Sequence, residues 1–272
     1  MSAADQTVAA PSPAQRRVGR LERAAIAGVI SREWTVFRHY WLSTTFSSIV
    51  QPTIYLLAFG FGFGALVSHV QGVPYVEFVG TGTVATAVLF SSVFPGMFTT
   101  FIRRKFQRTY DALLAAPVDV EELVTGEIIA ISLKAGIYGA APLLVAIAFG
   151  LNPAWGMLLV PPIGIVTGFG FAAFGVTLAG RLDSIDGFSY VNSAVITPLF
   201  LVAGTFFPIS ELPHWARIAA NFNPLYHCVQ LVRHASAGFD ALPDLGHVGA
   251  LLLFALIMWR LAIRSMTKRL ID

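Results

Sequence analysis

Along the 272 residues, long apolar stretches alternate with short polar ones. Six of them are long enough, or nearly so, to cross about 30 Å of hydrocarbon as helices: Leu42–Leu66, Val76–Phe101, Ile128–Phe149, Gly156–Ala179, Phe188–Phe207 and Gly246–Ile263. Strands of a membrane barrel would alternate apolar and polar residues. These stretches are apolar on all sides and read as helices. Between the second and third, Ile102–Gly126 is polar but patterned. Phe106, Tyr110, Leu113, Leu114 and Pro117 step along one helical face, while Arg104, Lys105, Gln107, Arg108 and Asp111 sit away from it. Pro117 ends this short helix, since the residue before a proline resists the helical conformation. Asp119, with Glu122 three residues on, makes a capping-box pattern that opens the next helix. An amphipathic helix in this position either packs on its own bundle or inserts into a cytoplasmic partner. Spacing alone does not choose.

Two further segments carry pattern. In Glu22–Trp41, Ile26, Val29, Ile30, Phe37 and Trp41 recur at helical spacing, with Arg23, Arg32, Arg38 and His39 on the polar side. This reads as an amphipathic helix along the inner membrane surface; the alternative is a cytoplasmic extension of the first span. Before the last span, Ser210 is placed to cap a short helix through Glu211, Leu212, Trp215 and Ala219. Asn223-Pro224 supplies the N-cap and first position of a second helix, which Gly238 suits as a stop. Two helices this apolar are expected to dip into the outer leaflet and return, with protein satisfying their backbone. The alternative is a pair lying flat on the outer surface. Residues 1–21 are expected to be a disordered cytoplasmic tail, and 22–272 a single transmembrane domain.

Composition agrees with the pattern. The chain is 56% hydrophobic and 12% charged, with mean hydropathy +0.70, whereas a soluble domain is about 25% charged. The single cysteine, Cys228, excludes an intrachain disulfide. The placement of charge matters more than its net value of +3. Of the 18 Lys and Arg residues, Arg217 and Arg233 fall on one side of the spans, Lys134 lies within one, and all the others share the opposite side. The excess of positive charge puts that side, with both termini, in the cytoplasm.

Candidate chemistry is sparse. Lys105, Lys134 and Lys268 follow Arg104, Leu133 and Thr267. None follows glycine, so the chain lacks the Gly-Lys-Ser/Thr ending of a phosphate-binding loop. No nucleophile elbow, carboxylate pair within a span or cofactor fingerprint occurs, and His214, His227 and His234 lack paired metal-ligand spacing. No catalytic, cofactor-binding or metal-binding residue is therefore expected in this chain, and no nucleic-acid partner. Glu127 and Lys134 are seven residues apart on nearly one face of the third span. They read either as an intramembrane polar link near an inner gate or as a snorkelling lysine that anchors the helix. Gly60 and Gly64 have the spacing that lets helices approach closely, within one subunit. A secondary transporter would need ionisable residues deep in several spans and an inverted repeat. Only Lys134 answers to that.

Taken in order, these segments resemble a family. The run from Arg108 through Tyr110, Asp111, Leu113, Leu114 and Pro117 to Val118, then Gly126, Glu127 and Lys134, resembles the inner loop of type-2 ABC exporter permeases. Phe207, Pro208, Ser210, Glu211 and Pro213, then Asn223, Pro224, Tyr226, His227 and Arg233, resemble that family's outer motif. The likeness covers about residues 22–265 and is greatest to nodulation-factor lipo-oligosaccharide exporter permeases, with daunorubicin-type drug permeases next. It implies an all-α membrane protein of six transmembrane helices, with a cytoplasmic coupling helix between spans 2 and 3 and two short re-entrant outer helices between spans 5 and 6. It further implies a multi-pass permease of the bacterial inner membrane, in contact with membrane lipid and paired with a second copy of itself. Two cytoplasmic ABC ATPase subunits, binding ATP and Mg, would complete the assembly. In that setting the inner-loop helix, with Phe106, Arg108, Tyr110, Asp111, Leu113, Leu114 and Pro117, becomes the element seated in an ATPase cleft. The implied cargo is an amphipathic lipid-linked or glycolipid molecule; drug or antibiotic efflux is the alternative.

Overall fold

The structure is a computed structural model and describes residues 21–67 and 69–271. Residues 1–20, which make up all but the last residue of the expected tail, lie outside the described residues. The described residues are almost wholly helical. Helix α1 spans Arg23–Leu57 and continues through a π-helical stretch, Ala58–Phe63. A two-residue antiparallel hairpin follows, β1 (His69–Val70) and β2 (Val73–Pro74). Gln71 and Gly72 turn it at φ 53° and 84°, the positive-φ pair of a tight hairpin turn.

Helix α2 (Tyr75–Phe94) runs on through a π-helical turn at Pro95–Thr99 into α3 (Thr100–Lys105). The inner loop holds α4 (Thr109–Leu114). Then come α5 (Val120–Gly139) and α6 (Ala141–Ala148), α7 (Val160–Arg181), α8 (Asp186–Val191) and α9 (Thr197–Leu201). The outer segment forms α10 (His214–Asn221) and α11 (Pro224–Ala237), and α12 (Ala241–Ile271) closes the chain.

Among the described residues, four helical stretches are long and apolar enough to cross a membrane: Tyr75–Lys105, Val120–Ala148, Trp155–Arg181 and Ala241–Ile271. They coincide with the second, third, fourth and sixth expected spans. The fifth stops short, because its helix ends at Leu201 and a tight turn follows, with Gly204 at φ 80°. The first is the latter part of α1. No break separates it from the expected surface helix Glu22–Trp41, so that segment is not an element of its own. Packing explains the continuity. Val29 lies against Gly126 of α5, where an added Cβ would come within 2.8 Å of it, and Thr45 meets the Tyr138 hydroxyl at 2.7 Å. Residues 29–45 therefore run beside the third span, as an extension of the first.

Helix α7 packs against α2, α5, α11 and α12. Small residues permit its close crossing with α2. An added Cβ at Gly175 would meet the Val93 carbonyl at 2.6 Å, and one at Gly96 the Ala172 carbonyl at 2.6 Å. Backbone atoms on both sides leave no room for even a methyl group. Gly60, at the end of the first span, faces Val76 of α2, so its close packing is within the subunit.

Candidate functional site

One end of the bundle gathers the polar elements. Asp119 opens α5 with the expected capping box, its backbone N–H donating to Glu122 Oε2 at 3.0 Å. The other Glu122 oxygen accepts the backbone N–H of Glu22 at 2.6 Å, which ties the start of α1 to the start of α5. Arg104 donates to the Leu182 carbonyl at 3.1 Å, Lys105 donates to the Asp183 carbonyl, and Arg269 pairs with the Asp183 carboxylate. The first helix, the inner loop, the loop after α7 and the end of the chain thus meet at one pole.

The same pole holds a buried charge cluster. Arg103 Nη1 reaches Glu33 Oε1 at 2.7 Å and Glu127 Oε1 at 3.0 Å, and its Nη2 reaches Glu33 Oε2 at 3.1 Å. Thr100 donates to Glu127 Oε1 at 3.2 Å, and Tyr110 donates its phenol proton to Glu127 Oε2. Both carboxylates are almost fully buried, at 4% and 2% exposure. Burial, followed by the adjoining Glu127 carboxylate, pushes the Tyr110 phenol well above its usual range, so it remains a donor. A buried charge is tolerated when paired and hydrogen-bonded, and here each carboxylate is. The cluster joins α1, α3, α4 and α5.

Glu127 lies within Val120–Ala148, the stretch of the third expected span, and its partners are Arg103, Tyr110 and Thr100. Lys134 lies instead over the Phe37 ring at 5.8 Å. Spacing missed Glu33 and Arg103: a single acid in an amphipathic helix and one of several adjacent basic residues carry no sequence mark of their burial.

The inner-loop helix is shorter than expected and turned differently. It stops at Leu114, three residues before Pro117, and starts from Arg108 in the left-handed region at φ 47°. Tyr110 is fully buried, and Leu113 and Leu114 pack on the core formed by Val120, Leu123 and Val124. The apolar face that the family resemblance would seat in a partner lies largely on the bundle, because its own core offers an apolar seat beside Glu127. Phe106, Arg108, Asp111, Ala112, Ala115 and Pro117 are exposed, with Phe106 at 63%.

The opposite pole holds the outer motif. Asn223 caps α11 as expected: its Oδ1 accepts from the Leu225 N–H at 2.9 Å, while its Nδ2 donates to the Leu199 carbonyl at 2.7 Å. Pro224 takes the first helical position and Gly238 ends the helix at φ 126°. Arg233 stacks 3.7 Å above the Phe78 ring and donates to the Gly204 carbonyl at 2.7 Å. Ser210 does not cap α10. It lies in a 3-10 turn, Ile209–Glu211, and Pro213 sets the start of α10 by holding Leu212 extended. Gln71 of the hairpin donates to the Ser210 hydroxyl at 3.4 Å, so Pro208–Pro213 sits beside the end of the first span. Tyr226 is partly buried, and His227 Nδ1 meets His247 Nδ1 of α12 at 2.7 Å. His247 was not visible as a partner, being 20 residues away in sequence.

Four helical stretches of membrane length, with a charge-locked inner-loop helix at one pole and the capped helix α11 at the other, describe a multi-span membrane protein. The ABC-2 type transporter family model matches residues 25–236, and the chain belongs to that family. This is a family of transport membrane subunits that works with an ABC ATPase partner. The chain is 31% identical over 240 residues to Nodulation protein J of Rhizobium leguminosarum bv. trifolii, covering 88% of this chain and 92% of that one. It is 29% identical over 239 residues to Nodulation protein J of Rhizobium meliloti, covering 88% and 91%. Inner membrane transport permease YadH of Escherichia coli is 25% identical over 248 residues, covering 89% and 95%.

Proposed function

We propose that the chain is the membrane subunit of an ATP-driven exporter. It works as a homodimer with two copies of a cytoplasmic ABC ATPase, which binds ATP and Mg. The cargo is an amphipathic lipid-linked or glycolipid molecule of the lipo-oligosaccharide kind, moved outward across the bacterial inner membrane. The observation that carries the reading is the inner-loop helix. Its exposed side, Phe106, Arg108, Asp111, Ala112 and Ala115, is free to meet a partner, while Tyr110 binds it to the charge cluster. A push on α4 would pass through Glu127 and Arg103 into α1, α3 and α5. The clustering of basic loops and the chain end at this pole supports a cytoplasmic placement of it, with both termini inside.

The test is reconstitution. The purified chain alone is expected to show no ATP hydrolysis. Co-expression with an ATPase encoded beside it is expected to give vanadate-sensitive hydrolysis, and mass spectrometry of the complex a copurified glycolipid. Hydrolysis by the isolated chain, free of contaminants, would overturn the assignment.

At the outer pole, one side of α11 is packed inside the protein: Leu225, Cys228, Val229, Leu231 and Val232 are all buried. Its neighbour α10 is two-faced, with Trp215, Ile218 and Phe222 exposed on one side and His214, Arg217 and Asn221 on the other. That division suits a helix lying in the interface plane, with Trp215 at headgroup level. Cys228 is inside the protein and would be shielded from reagents in either placement. The informative probes are Phe222→Cys and His214→Cys, each in a Cys228→Ala background. On intact spheroplasts an impermeant thiol reagent is expected to label the His214 position about tenfold faster or more than the Phe222 position, whose side faces hydrocarbon. Equal, rapid labelling would put α10 wholly in water.

A further inference from the structure

A cleft of about 240 Å³ opens between α1 and α5. Its walls are apolar and partly aromatic, including Trp34, Phe37, Leu133 and Ile137, and two charged groups line it, Glu33 and Lys134. Trp34 is 54% exposed, Leu133 40% and Ile137 60%. They stand on the outer surface of the bundle, where a membrane protein meets lipid.

The two charged groups are not equivalent. Both oxygens of Glu33 are taken by Arg103, and Oε1 also accepts from Arg32 at 3.0 Å. Lys134 has no carboxylate within 4.0 Å among the described residues. It contacts the face of Phe37, which offers attraction but no hydrogen-bond acceptor. The cleft therefore presents a cation with three donors, no ion-pair partner within 4.0 Å among the described residues, a Glu33 carboxylate already held by Arg103 and Arg32, and an apolar wall beside it. We propose that it binds one anionic phospholipid, with the headgroup phosphate on Lys134 and an acyl chain along Trp34, Leu133 and Ile137. Basic pockets between membrane helices hold anionic headgroups in this way. With the orientation proposed above, the lipid comes from the inner leaflet.

Two other occupants fit less well. Free inorganic phosphate would make no use of the apolar wall. A second copy of this chain, joined through this face about a two-fold axis, would present the same surface. It would bring two Lys134 ammonium groups together in a medium of low dielectric constant, where like charges repel most.

The experiment uses the full chain in vesicles of equal phosphatidylglycerol and phosphatidylcholine, extracted gently and weighed by native mass spectrometry. One retained lipid per chain is expected, with phosphatidylglycerol preferred about fivefold, the selectivity that one cation gives near a membrane surface. Lys134→Gln is expected to bring the preference close to one, Lys134→Arg to keep it, and Lys268→Gln at the far end of α12 to leave it unchanged. Exchange of the buffer for inorganic phosphate should displace nothing. Equal retention of the two lipids by the unaltered chain would overturn the proposal without recourse to any variant. So would a preference that survives Lys134→Gln, or displacement by phosphate. A cleft covered by a second copy would retain no lipid and give a dimer that Lys134→Gln strengthens, which also overturns it. None of these readouts needs transport or ATP, so their failure would leave the exporter reading standing.

Discussion

Arg103→Ala is expected to destabilise the protein by about 3–5 kcal/mol, the cost of leaving buried charge without its partner. The effect should be read as earlier unfolding in a denaturing-detergent titration of the purified protein. Arg103 is the sole cation within 4.0 Å of Glu127 among the described residues, and it grips Glu33 with two nitrogens. Its removal leaves the buried Glu127 without a cation and Glu33 with Arg32 alone. Adding Glu33→Gln and Glu127→Gln to the same chain should recover much of the loss, because the uncompensated charges go with the arginine. An Arg103→Ala protein that unfolds with the unaltered one would show that the cluster does not hold these four helices together.

Phe106→Asp is expected to leave the permease folded but to weaken its hold on the ATPase about 30-fold or more, the scale of losing a central aromatic anchor of an interface. Copurification and ATPase stimulation measure this. Phe106 is exposed at the end of α3, next to Arg108, so an aspartate there costs little in the subunit alone. Leu113→Asp with Leu114→Asp provides the contrast. These side chains pack on the permease core, and their substitution should lower the stability of the permease itself. If that pair instead leaves stability untouched while abolishing ATPase binding, the docking face is the one that the family resemblance implied.

Much was legible in the residues because it depends on local rules. Runs of apolar residues mark Tyr75–Lys105, Val120–Ala148, Trp155–Arg181 and Ala241–Ile271 whatever their neighbours, since a lipid-facing helix must satisfy its own backbone. The Asp119–Glu122 box and the Asn223-Pro224 start are formed as the sequence requires, because a cap acts within one turn. Ser210 failed as a cap for an equally local reason, the proline at 213.

Partnership was not legible. Glu127 could be recognised as an intramembrane acid, but its link to Arg103, Glu33 and Tyr110 joins residues 17 to 70 positions apart, and nothing in one helix records what another places against it. The amphipathic spacing of α4 and of Glu22–Trp41 identified their apolar sides without saying what would cover them. For α4 the tertiary structure places Tyr110, Leu113 and Leu114 on the protein's own bundle; in Glu22–Trp41 it buries Val29 there and leaves Trp41 exposed. The inner-loop face had a seat on the α5 core, and Gly126 let α1 come close enough to run beside the third span. The sequence by itself therefore determined the membrane class, most of the spans and the family. Only the packing decided which charges meet and which face of the inner loop remains free, because those depend on contacts between helices distant in the chain.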